Sequence, residues 1–197
     1  GDLYSGIRAF NNTGTANLSV SVATVSGGQT ALDAENRGSG SLTVTTTGAV
    51  TATGAFGDGI QAFLNSATGT DLTVTTESTV TGKTQGIDVR NLGTGVIEVT
   101  ATGAVQGGSQ QGIFANNFNG GDVTISAASV SGGFAGINAE RTGGSGSGAV
   151  SVATTGDVSS TIEEGIRAYN TVSGTTMTIS AHNVYGAADG IYAKHLG

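Results

Sequence analysis

Eight times in its 197 residues the chain writes one short phrase: a small residue, Ile or Leu, a variable residue, then Ala or Val. The copies begin at Gly6, Ala31, Gly59, Gly86, Gly112, Gly136, Gly165 and Gly190. Their anchors Ile7, Leu32, Ile60, Ile87, Ile113, Ile137, Ile166 and Ile191 are 25, 28, 27, 26, 24, 29 and 25 residues apart. An interval this regular marks a repeat architecture, because a unit so short cannot bury its apolar face alone and must stack on its neighbours. One continuous body over residues 1–197 is therefore expected.

Each unit carries three strand signals. The first is the anchor phrase. The second alternates apolar residues with Ser, Thr or Glu: Leu18 to Val22, Leu42 to Thr46, Leu72 to Thr76, Ile97 to Ala101, Val123 to Ala127, Val150 to Thr154 and Met177 to Ala181. A period of two puts one face inward and one in water, and β-branched residues suit the pleat. The third is a single Val before a turn, at Val25, Val50, Val80, Val105, Val130, Val158 and Val184. Three short strands per ~26 residues, without helical periodicity, predict an all-β fold: a right-handed parallel β-helix (β-solenoid) of about 7–8 coils. Coils ~4.8 Å apart make it roughly 34 Å long. A left-handed helix needs a stricter six-residue beat, and a propeller blade needs four strands and ~40 residues. Insertions are expected at one edge, at Asn65 to Asp71 and Thr142 to Ala149, with a smaller one at Ala52 to Asp58.

Stacked coils turn equivalent positions into rows. The anchors and the Ala or Val two residues later are expected inside. The small residue before each anchor is expected at a corner with positive φ. Asn11, Asn36, Asn91, Asn117 and Asn170 are expected to form a structural ladder, amide to amide, interrupted by Leu64, Arg141 and His195. The outward anchor-strand row runs Arg8, Asp33, Gln61, Asp88, Phe114, Asn138, Arg167, Tyr192 and is expected to be a solvated face. Phe10, Phe63 and Tyr169, with Arg90, are the candidate surface contacts, and Phe56, Phe118, Phe134 and Tyr185 in loops join them or cover coil corners, as amphipathic rings at a solenoid edge suit glycans or proteins.

Composition excludes several functions. A formal net charge of −7, with only seven Lys and Arg, leaves no basic patch to displace counterions, so no nucleic acid is expected. No apolar run approaches ~18 residues, so no direct membrane span is expected in this segment. With no Cys there is no disulfide framework. Among carboxylates, Asp33 and Asp88 fall two coils apart, ~9–10 Å, a spacing some inverting glycosidases use; Gln61 lies between them and no outward Lys flanks them. Asp58, Glu163, Glu164 and Asp189 sit in loops and lack the Gly-Gly-x-Gly-x-Asp pattern of Ca²⁺-binding coils. His182 and His195 have no partner at ligand spacing, so no metal or other cofactor is expected. Gly143 to Gly148 has no Lys-Ser/Thr and opens no helix, so it is no phosphate loop. Outward Thr43, Thr45, Thr73 and Thr75 have a trace of an ice-binding face, broken by Glu98 and by Ser.

The phrase Gly-Ile-x-Ala-x-Asn followed by Leu42-Thr43-Val44-Thr45-Thr46-Thr47-Gly48-Ala49-Val50, and again Leu72 to Gly82, resembles the β-helix repeats of autotransporter (type V secreted) passenger domains of Gram-negative bacteria. The resemblance covers the whole chain in a motif of low complexity. It implies a right-handed β-helix on the cell surface, extracellular, serving adhesion, aggregation or as a stalk. Its partners would be host or neighbouring-cell glycans and proteins, or other copies through the coil ends. No protease triad is present, so no catalytic residue carries over. The leading expectation is an adhesive, non-enzymatic segment whose solenoid continues at both ends. The alternative is a polysaccharide-active enzyme or a tail-spike-like glycan binder.

Overall fold

The computed structural model describes residues 4–143, 147–171 and 173–197. Among them every regular element is a strand. They stack as a parallel β-solenoid of about seven coils with three sheets. The anchor sheet has eight strands: Ile7–Asn11, Leu32–Asn36, Ile60–Leu64, Ile87–Asn91, Ile113–Asn117, Ile137–Arg141, Ile166–Asn170 and Ile191–His195. The second sheet has seven, from Leu18–Val22 to Met177–Ser180, and the third has seven shorter ones, from Val25–Gly27 to Val184–Tyr185. All are parallel, with anchor opposite anchor throughout: Ile7 on Leu32, Ile60 on Ile87, Ile113 on Ile137, Ile166 on Ile191.

Period-two alternation does the sorting. Leu32 and Ala34, Ile60 and Ala62, Ile87 and Val89 are fully buried, as are Leu42, Val44, Leu72, Val74, Val50 and Val80 from the other two sheets. The core is thus one aliphatic column, each layer covered by the coil above and the coil below. At the ends one cover is missing: Ile7, Leu18, Met177 and Ile179 are only partly buried, and Ile191 is 47% exposed.

The corners differ from expectation in two ways. Among the described residues only Gly14, at φ 102°, has a positive φ. Gly6, Gly59, Gly86, Gly112, Gly136 and Gly165, each just before an anchor, are there for close approach instead. A Cβ on Gly86 would lie 2.5 Å from the Gly112 carbonyl oxygen and 2.6 Å from Val105 Cγ1, contacts that only glycine avoids. The Asn row also works differently. Asn11 donates to Asn36 Oδ1 at 2.8 Å, but the other members bond to backbone. Asn91 Nδ2 donates to the Thr70 and Gly95 carbonyls at 3.1 and 3.3 Å while its Oδ1 accepts the Gly93 N–H at 2.7 Å. Asn117 and Asn170 donate to carbonyls in the same manner. A buried amide that satisfies turn groups of two coils is more useful here than one spent on another amide. Leu64 and Arg141 continue the row inward and are fully buried too. Only His195, in the last coil, is exposed.

Asn65 to Asp71 and Thr142 to Ala149 both join the anchor sheet to the second sheet, so these insertions share one edge; Gly144, Ser145 and Gly146 lie outside the described residues. Ala52 to Asp58 lies at the corner that leads from the third sheet to the anchor sheet.

Candidate binding face on the anchor sheet

Ladder bonding continues one residue past the anchor strands, with Leu92 N–H on the Leu64 carbonyl and Phe118 N–H on the Asn91 carbonyl, both at 2.9 Å. Alternation therefore gives this face three outward rows. They start one, three and five residues after the anchor. The second runs Phe10, Glu35, Phe63, Arg90, Asn116, Glu140, Tyr169, Lys194. The third includes Asn65, Leu92 and Phe118.

Arg90 is the centre of this face. Its Nε and Nη2 donate to the two carboxylate oxygens of Asp88, each at 2.9 Å, in a bidentate pair. Its guanidinium carbon lies 5.3 Å from the Phe63 ring centre and 5.1 Å from that of Phe114. Each such cation–π contact contributes ~0.5–1 kcal/mol at an exposed site. A fork holding a carboxylate while its faces meet rings is arginine chemistry that lysine cannot copy. Phe63 and Arg90, two of the candidate contacts, are therefore brought together. Phe10 is separate, exposed, with the Arg37 guanidinium 4.5 Å from its ring. Tyr169 lies three coils from Arg90, half-buried, with Lys194 Nζ at 5.9 Å.

Asp88 overturns the reading of this row as solvated, since it is only 1% exposed. Burial drives its pKa above the ordinary value, outweighing the hydrogen bond and charge of Arg90. Asp33 is also shifted up by burial, against the opposing charge of Arg8 at 3.2 Å. Asp58, expected as an open loop carboxylate, is buried and bridges coils. Its Oδ1 accepts the Gln85 N–H at 2.9 Å and its Oδ2 the Gln61 amide at 2.5 Å; burial again raises it. Burial also pushes Glu35 up, but hydrogen bonds from Arg37 and Asn65 outweigh it and leave that carboxyl low. Asn116 and Asn138, also buried, both donate to Glu140, at 3.1 and 3.0 Å.

Beside Arg90 lies an open depression of about 240 Å³, lined by Phe63, Leu64, Asn65, Arg90, Leu92 and Phe118. Sequence reasoning placed Phe118 among the loop aromatics suited to contacts but missed Asn65, Leu92 and Phe114. The signal was there for Phe114, one rung from Asp88 in the register. Asn65 and Leu92, like Phe118, follow an anchor strand directly, where the sequence reads as loop but the ladder has not yet stopped.

Elsewhere, His182 Nδ1 lies 3.1 Å from Asp157, on the exterior. Among the described residues no cluster of three or more His, Asp or Glu is arranged to hold a metal ion. No helix among them is long and apolar enough to cross a membrane. Compared with family models, curated proteins and solved structures, the chain matches none.

Proposed function

We propose that this solenoid is a structural and adhesive segment of an extracellular bacterial surface protein, one that binds and does not catalyse. The observation that carries the reading is the division of labour between rows. Inward positions repeat the same aliphatic residues, while the outward anchor-sheet rows hold a different charged, amide or aromatic residue at nearly every coil. Variable side chains on a fixed frame suit recognition. The resemblance to autotransporter passenger repeats supports the cell-surface location. Partners would be surface glycans or proteins reached through the face around Phe63 and Arg90.

The alternative, a polysaccharide-cleaving enzyme, draws some support from the raised pKa values of Asp33 and Asp88. Against it, each carboxylate is already held by an arginine, Arg8 and Arg90, and a Gln61 rung separates them. Incubation with a glycan panel distinguishes the two. Intact glycans support the adhesive reading; cleavage that disappears in Asp33→Ala or Asp88→Ala defeats it. Binding to a glycan and matrix-protein array, reduced by Arg90→Ala, is the positive result. Self-association is a second proposed contact, favoured by the partly exposed apolar layers at both coil ends, where unpaired strand edges can extend the ladder.

A further inference from the structure

We infer that the depression between Phe63 and Phe118 takes a single neutral sugar ring. The inference rests on the adhesive reading above and names its ligand class. Size comes first: about 240 Å³ falls below the ~300–1,000 Å³ of pockets for drug-sized ligands, leaving room for one ring and not a chain. The walls come second. Phe63, Leu92 and Phe118 give apolar surface on which the C–H face of a pyranose can stack, as flat rings favour.

Charge decides between neutral and ionic ligands. Arg90 is the one charged residue in the lining, and its Nε and Nη2 are committed to Asp88. An anionic sugar would have to compete with a carboxylate already held bidentate and buried. A cationic one would meet the guanidinium. A neutral hydroxyl needs neither exchange: Arg90 Nη1 has no hydrogen-bond partner among the described residues and can donate. Asn65 is tied by its Nδ2 to Glu35 at 3.1 Å, which orients the amide and leaves its Oδ1 to accept. One donor and one acceptor, fixed by neighbours, flank an apolar shelf. Hydroxyl-specific recognition requires that arrangement.

The test is saturation-transfer NMR on the whole chain. The neutral probes are the methyl glycosides of glucose, galactose, mannose and N-acetylglucosamine; methyl glucuronide and phenol are the anionic and planar probes. At least one neutral glycoside should bind, with affinity falling about tenfold or more in Phe118→Ala. Asn65→Phe, which fills the depression from an exposed position, should give the same loss, and Thr73→Ala on the second sheet should bind like the wild type. An unchanged thermal midpoint verifies folding of each variant. Binding of glucuronide or phenol alone, or of no probe, overturns the assignment. So does neutral-sugar binding that survives both Phe118→Ala and Asn65→Phe, although the adhesive reading then stands with its site elsewhere. Absence of any partner on the glycan and matrix-protein array counts against the adhesive reading itself.

Discussion

Burial works against the charge of Asp88 while Arg90 favours it, and that opposition should be visible in the pH dependence of stability. Its folded pKa is raised, so the folded state binds a proton more tightly than the unfolded chain. The associated stability is fully present below the unfolded pKa and is lost as pH rises through the folded value. Asp33 and Asp58 share the direction. Lowering the pH from neutrality toward the ordinary carboxylate range should therefore raise the denaturation midpoint. In Asp88→Asn the rise should be smaller, and a midpoint that instead falls over this window would contradict the assignment. Glu35 and Asp157 are shifted down and reverse the trend only at lower pH. The corner amides make a second residue-level case. Asn117 is fully buried, donates to the Gly95 carbonyl at 2.9 Å and accepts the Gly120 N–H at 3.1 Å. Asn117→Ala strands those groups, at about 1–3 kcal/mol per buried group, measurable by urea denaturation.

At the scale of strands, stability is the sum of layers covered on both sides. Ile113 stacks between Ile87 and Ile137 and is fully buried, whereas Ile191 caps the last anchor strand and is half-exposed. Ile113→Ala should cost ~2–5 kcal/mol, and Ile191→Ala clearly less. Equal costs in urea melts would mean that layers are not the unit of stability. Gly86→Ala should also destabilise, because the atom its methyl group meets at 2.5 Å is backbone and cannot swing aside. The strands were legible in the sequence because period-two patterning and a fixed interval both report burial directly. Leu32 under Ile60 needs no information beyond spacing. The corner glycines were assigned to the right positions for the wrong reason, since sequence shows where the chain turns but not how closely the next coil approaches. The binding face was half legible. Phe63 and Arg90 were found as exposed types, but the burial of Asp88 depends on Arg90 folding back over it between two rings. That is a tertiary arrangement with no local pattern. The depression was missed for a related reason: Leu92 lies beyond the strand signal and Phe118 reads as an isolated loop aromatic, although the ladder bonds of both persist.

The whole molecule is a column with a uniform interior and unlike sides. The second sheet turns hydroxyls outward, mainly Thr and Ser interrupted by Glu98. The anchor sheet turns outward the aromatic, amide and charged residues around Arg90. The column carries a formal net charge of −7, so association through the end layers should be weak at low salt. It should strengthen as salt screens the repulsion, a trend light scattering can follow. The central claim is that recognition belongs to the anchor-sheet face. It is tested most directly by measuring retention on the glycan and matrix-protein array for the wild type, the anchor-face variants Phe63→Ser and Phe118→Ala, and the second-sheet variants Thr73→Ala and Thr100→Ala. Loss of binding in the first pair with retention in the second is the predicted result. Retention in the first pair with loss in the second would contradict the account.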